Sequence, residues 1–276
     1  MRFHVLAGFV AVAAGWLAPW GADPAMAQGA RSAKVDIVPH RAVYVLELGR
    51  TRQGGNVHRA QGALVMEWAK SCSGWTVKQR LRLNLTDGEG NTVETDSNFS
   101  SFEAMDGLSY RFTTRNTRGG QVTEDLQGSA RIDAGGKGTA DFSQPKGTRY
   151  DLPKGTLFPT RHMMDLIAAA RRGERVAYRT IFDGASLDGP LGVNAVMGQY
   201  RAKPTGSWAR EPLTNRPSWY MRLAFFPLKG SKAEPDYELG LRVFDNAVAD
   251  DFELDYRSFT IRAKMEKIDA LERPKC

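Results

Sequence analysis

Residues able to do chemistry are scarce in this 276-residue chain. It has two cysteines, Cys72 and Cys276, and four histidines, one of which (His4) lies in an N-terminal apolar run. No HExxH, CxxC, GxSxG or Walker A pattern occurs, which removes the zinc-peptidase, thiol-redox, α/β-hydrolase and P-loop classes. Ser143-Gln-Pro-Lys146 matches Ser-x-x-Lys, but Pro145 interrupts the helix start that motif needs, and Lys146-Gly147-Thr148 is not Lys-Thr-Gly. Asp183, Asp188, Asp250 and Asp251 lack EF-hand spacing, and Asp beside Gly reads as a turn. The sequence therefore offers no catalytic residue, no metal site and no cofactor site.

Also missing, after the first 30 residues, is any long apolar run. Those 30 carry Arg2, an apolar stretch from Phe3 to Trp20 broken by Gly15 and Pro19, and a small-x-small site at Ala25-Met26-Ala27. This is the layout of a cleaved export signal rather than a membrane anchor, and no cysteine at the cleavage point offers a lipid attachment. The expected division is 1–27 as signal peptide and 28–276 as one β-rich domain, exported to the periplasm and not integral to a membrane. Export makes the even cysteine count favour one disulfide; two free thiols and an intermolecular bridge are the alternatives. The net charge of +7 survives signal removal, because that segment contains one Arg and one Asp. The basic residues are dispersed along strands rather than clustered, and no nucleic-acid motif is present, so nucleic acid is excluded as a partner.

What the chain does contain is alternation. From Trp75 to Thr86, Trp75, Val77, Gln79, Leu81, Leu83 and Leu85 fall on one side, with Thr76, Lys78, Arg80, Arg82 and Asn84 on the other. That period of two is a half-buried strand. Similar runs recur every 10 to 15 residues or so, separated by Gly-Gly-Asn, Asp-Gly and Gly-Gly turns, which predicts antiparallel meanders totalling about 12 to 14 strands. Leu108, Tyr110 and Phe112 are expected on one inward face. So many strands need closure or curling to hide their edges. The heavily charged alternate positions suit a water-facing exterior rather than a lipid-facing band, and leave an interior that is either a ligand cavity or a plugged one.

One segment breaks the pattern. In Leu152–Glu174, Met163, Leu166, Ile167 and Ala170 follow i, i+3, i+4, i+7 spacing, which predicts an amphipathic helix over 160–172. Pro159 suits its first turn, Thr160 or Thr156 is the expected cap, and Gly173 is the expected stop. His162 sits at the edge of the apolar stripe, within reach of Asp165 at i+3, but no nucleophile accompanies it. Trp75, Tyr110, Trp219, Phe225 and Phe226 read first as core aromatics. Trp75, Tyr110, His162, Trp219 and Phe225 are the candidates to line a pocket for a lipid or an envelope glycan. Pro204–Pro217, with Trp208 in its middle, reads as an exposed loop that a protein partner could use.

With the helix and both cysteines in view, the chain resembles the envelope integrity protein B (EipB) family of exported α-proteobacterial proteins. The resemblance rests on Leu-Pro-Lys-Gly-Thr-Leu-Phe-Pro-Thr-x-His at 152–162, Leu-Ile-Ala-Ala-Ala-Arg at 166–171, Phe182-Asp183-Gly184, and Ser-Cys-Ser-Gly-Trp at 71–75 with a cysteine at the C-terminus. It spans essentially the whole chain after the signal. It implies a periplasmic, antiparallel β structure in the form of a broken barrel or spiral, similar to lipoprotein-carrier folds. It also implies a disulfide between Cys72 and Cys276, a role in maintaining the envelope, and no enzymatic activity. The partners it leaves open are a lipid, peptidoglycan or a periplasmic protein. A peptidoglycan- or lipid-modifying hydrolase is the competing reading from the residues alone, with a filled-core scaffold as a third.

Overall fold

The computed structural model describes residues 34–204, 211–229 and 234–276. The expected signal peptide and the middle of the 204–217 loop, including Trp208, lie outside the described residues.

Among the described residues there are fourteen strands and one helix. The first run comprises β1 (His40–Thr51), β2 (Val57–Lys70), β3 (Gly74–Asp87), β4 (Thr92–Ala104), β5 (Ser109–Arg118), β6 (Gln121–Ile132), β7 (Gly138–Gln144) and β8 (Arg149–Leu152). The helix α1 (Pro159–Arg171) follows. The second run comprises β9 (Val176–Ile181), β10 (Leu191–Arg201), β11 (Ser218–Pro227), β12 (Tyr237–Phe244), β13 (Ala249–Asp255) and β14 (Phe259–Ala270). Each run is a meander in which every strand pairs with its neighbour in sequence, as turn-separated alternation requires. The two meanders join through the first and last strands, β1 and β14, which pair from His40↔Ala270 to Thr51↔Phe259. The result is one antiparallel sheet of fourteen strands that begins at β8 and ends at β9 without closing into a barrel.

The sheet curls around α1. Leu166, Ile167, Ala169 and Ala170 of the helix share one apolar cluster with Trp68, Trp75 and Val77 of β2 and β3 and with Val193, Met221, Leu223 and Val243 of the second meander. A second cluster fills the β1/β14 junction around Tyr44, Leu46, Phe244 and Ile261. A third joins five aromatic residues, Tyr110, Phe112, Phe142, Phe158 and Phe182, with Leu126, Ala130, Ala140 and Leu152. Leu108 departs from its expected inward face: it closes the β4–β5 turn and is 46% exposed, because the turn ends the alternation one residue before β5 begins.

The two ends of the sheet approach each other beside the helix. Leu157, just before α1, makes one parallel bridge to β9: its N–H donates to Thr180 O (2.9 Å) and its carbonyl accepts from Phe182 N (3.0 Å). Three hydroxyls of the first meander donate to carbonyls of the β9–β10 loop. Tyr110 Oη reaches Asp183 O (2.9 Å), Thr114 Oγ1 reaches Gly184 O (3.1 Å), and Tyr150 Oη reaches Leu187 O. Gly184 and Gly189 make that contact sterically feasible. Both have positive φ (+68° and +79°), and an added Cβ would lie 2.3 Å from the Phe112 ring and 2.7 Å from the Tyr150 ring.

The helix begins differently from the sequence expectation. Phe158 is the N-cap and contributes no side-chain bond, while Thr156 turns away to donate to Pro153 O (2.7 Å) and Thr160 lies inside the first turn. The cap comes from β4, where Glu103 accepts from Thr160 N (2.7 Å) and Arg161 N (2.9 Å). Two of the first-turn N–H groups thus find a carboxylate, which also favours the positive end of the helix dipole. The C-terminal end follows expectation. Gly173, at φ +81°, donates to Ala170 O and Glu174 donates to Ala169 O, the paired bonds of a Schellman turn.

Cys72, in the β2–β3 turn, is bonded to Cys276, 204 residues away. The bridge reinforces the β1/β14 junction, where Leu271 N also donates to Pro39 O and Arg273 pairs with Asp36 at 2.8 Å.

Candidate functional site

The C-terminal end of α1 opens onto a groove of about 610 Å³, lined by residues from four parts of the chain. That volume lies within the ~300–1,000 Å³ typical of small-molecule sites. The Schellman turn stops the helix and releases Glu174 and Arg175 along one wall. Met197, Gly198 and Tyr200 come from β10. A bulge between Met197 and Tyr200 shifts the register and brings Tyr200 opposite Trp219 of β11. Without the bulge, Tyr200 would face outward on the alternation set by Val193, Ala195 and Met197. The two rings are 5.5 Å apart at 44°. Trp219 is 8% exposed and forms a fixed floor, while Tyr200, 54% exposed, stands free at the edge.

The last wall is Asp245, in the turn after β12. Arg216 holds its carboxylate through Nε at 2.5 Å and Nη2 at 3.2 Å, and Arg171 donates to its backbone carbonyl at 3.0 Å. Glu174 pairs with Arg172 at 2.7 Å. Arg175 donates weakly to Gly198 O (3.4 Å) and has no carboxylate partner among the described residues.

Of the five candidate pocket residues, the structure brings Trp219 alone to this groove. Trp75 is packed in the cluster around α1 with Lys70 5.2 Å above its ring. Phe225 stacks on Tyr237 at 4.4 Å and 12°. Tyr110 lies in the aromatic cluster and spends its hydroxyl on Asp183 O. His162 is buried on the first turns of α1, and Asp165 bonds Arg179 at 2.7 Å rather than His162, because β9 presents the guanidinium to that helical turn. His162 Nε2 has no hydrogen-bond partner among the described residues. Burial lowers the His162 pKa to about 4. Burial raises the Glu103 pKa to about 7, against the opposing pull of its bonds to Thr160 and Arg161. Neither group lines the groove. Among the described residues no three His, Cys, Asp or Glu side chains cluster as metal ligands. Also among them, no helix is long and apolar enough to cross a membrane.

The sequence missed Tyr200, Arg175 and Asp245 as groove residues. A bulge, a helix stop and a turn bring them together, and no spacing in the chain encodes that meeting.

Comparison with known proteins places this geometry. The family profile described as EipB-like matches residues 31–272. The cell envelope integrity protein EipB of Brucella abortus (strain 2308) is 30% identical over 252 residues, covering 87% of this chain and 88% of that protein. The crystal structure of a β-barrel-like protein from Brucella abortus, assigned to a domain of unknown function, superposes with a TM-score of 0.80 at 30% identity. It covers 86% of this chain and 100% of that chain.

Proposed function

The chain belongs to the EipB-like family, and from that premise we propose that it is a periplasmic protein that supports cell-envelope integrity by binding rather than by catalysis. The observation carrying this reading is the separation of the titratable groups from the open site. The strongly shifted carboxyl and imidazole, Glu103 and His162, are buried at the N-terminal end of α1, while the groove at the other end of the helix offers rings, guanidiniums and carboxylates without a nucleophile. The relative's name supplies the process, and the leader-like first 27 residues supply the compartment. The interior faces of the sheet are packed into three apolar clusters. That favours a ligand or partner held at the surface groove over one enclosed in the sheet.

Deleting the gene in its native host tests the reading. Loss of the protein is expected to sensitise cells to detergent and to cell-wall antibiotics. The full chain should restore resistance, and a chain starting at residue 28 should not. An unchanged envelope phenotype, or full protection by the leaderless chain, overturns it.

A further inference from the structure

We propose that the outer face of β9, β10 and β11 docks on an anionic phospholipid surface. Val176, Tyr178, Val196 and Tyr220 enter the headgroup layer, and exposed cations at the strand ends meet phosphate. This goes beyond the reading above and uses the outside of the sheet, not the groove.

The outside of the sheet is of two kinds. On β3 to β6 its outward positions carry paired charges, such as Arg82 with Asp96 and Arg115 with Asp125. That is a water-facing surface. On β9 to β11 the outward positions are apolar. Val176 and Val196 sit opposite each other on neighbouring strands and are 64% and 52% exposed. Tyr178 and Tyr220 are 54% and 45% exposed. Tyr178 and Leu228 both lean over Gly192, where an added Cβ would lie 2.7 Å from the Tyr178 hydroxyl and 3.3 Å from Leu228. A contiguous apolar patch of this kind on a sheet's outer face marks an interaction surface.

The charges identify the partner. β9, β10 and β11 contain no Asp or Glu. Arg222, which lies among the outward positions, is bound to Glu238 of β12 at 3.0 Å, so a paired charge closes the patch on that side. Arg175 before β9, Lys203 after β10 and Lys229 after β11 are exposed, and none has a carboxylate partner among the described residues. Apolar side chains with tyrosine hydroxyls, flanked by unpaired cations, match the boundary between headgroups and acyl chains. Each cation near an anionic leaflet contributes about 1 kcal/mol.

Other occupants fit less well. A second copy across a two-fold axis would set Arg175, Lys203 and Lys229 against the same cations, with no carboxylate on the three strands to meet them. An added strand would find the edge of β9 in use. Tyr178 O accepts from Arg179 Nη1 (2.8 Å) and Thr180 O accepts from Leu157 N (2.9 Å).

Flotation of the exported chain with vesicles tests this, using phosphatidylcholine alone and phosphatidylcholine with about 30% phosphatidylglycerol. Mixed vesicles should half-saturate at about 1 mM lipid or below, and neutral ones should bind at least about tenfold more weakly. Raising salt from about 0.05 to 0.5 M should release the chain. Val176→Thr with Val196→Thr should weaken binding about tenfold, as should Arg175→Glu with Lys203→Glu. Melting temperatures should not move, because all four residues are exposed. Val45→Thr with Val65→Thr, at exposed positions of β1 and β2, is the control and should bind like the native chain. No flotation with either vesicle up to about 10 mM lipid, equal binding to both, or an equal loss in the control overturns the proposal. So does a dimer in sedimentation that Val176→Thr with Val196→Thr abolishes, which gives the face to a second copy. Vesicle binding is read on purified protein, so it can fail while the deletion phenotype stands, and the reverse.

Discussion

The two meanders of this protein meet twice, and the two junctions are built from different materials. At β1/β14 the contact is a backbone ladder from His40↔Ala270 to Thr51↔Phe259, backed by the Cys72–Cys276 bridge. At β8/β9 there is no ladder. One bridge at Leu157, three hydroxyls, a packed set of aromatic rings and the Glu103 cap on α1 hold the ends together. Ladder bonds are regular and cooperative along the strand. Side-chain contacts can be removed one at a time, and each contributes little by itself. The β8/β9 side is therefore the place where the sheet should open first, and the β1/β14 side the place where it should hold until global unfolding.

The largest effect should come from cutting the bridge. Loop-closure entropy for a 204-residue separation amounts to about 5 kcal/mol at 25 °C, and measured values are commonly lower. Cys72→Ser with Cys276→Ser, or reductant on the native chain, should lower the urea midpoint strongly. Equal midpoints with and without reductant would show that the ladder alone secures that junction.

Next comes the helix, which carries two opposing titrations. Glu103 has a folded pKa of about 7, above its ordinary value of 4.5, so its contribution is greatest at low pH and is lost as pH rises through 7. His162 has a folded pKa of about 4, below its ordinary 6.5, so its contribution is present above 6.5 and is lost as pH falls toward 4. Each is worth on the order of 3 kcal/mol across its window, and the two slopes nearly cancel. Glu103→Gln should leave a protein that gains stability from pH 4 to 6.5. His162→Gln should leave one that loses stability from pH 4.5 to 7. Denaturant melts at five pH values would decide it, and parallel profiles for wild type and both variants would sink the assignment.

The smallest effects should come from the hydroxyls. Tyr110→Phe, Thr114→Val and Tyr150→Phe each remove one side-chain bond to the β9–β10 loop, for about 1 kcal/mol apiece. Hydrogen exchange should quicken at 183–187 while the β1 and β14 amides stay protected. Uniform quickening across both junctions would mean that the two sides open together, and the contrast between them would fall.

Much of this was legible from residue order. The alternation in Trp75–Thr86 became β3, and Gly173 stopped the helix. The N-cap was not legible. Thr156 and Thr160 satisfy the local rule, yet Glu103, 57 residues upstream of Thr160, holds the first turn, because burying that end of the helix against β4 brings a carboxylate closer than any local hydroxyl. Tyr200 was hidden by a bulge that reverses which face it occupies. The five candidate aromatic and histidine residues were found as inward-facing side chains, but facing inward does not distinguish packed core from groove wall.

The sequence by itself determined the elements. Period-two alternation and turn chemistry are local, so about 12 to 14 strands and one helix follow from neighbours a few residues apart, against fourteen and one observed. Only the tertiary structure decided the pairing of the first strand with the last, the end of the sheet left without a ladder, and the groove at the C-terminal end of α1. Those outcomes depend on contacts between residues tens to hundreds of positions apart, where chain order sets the entropy of closure but not which surfaces meet.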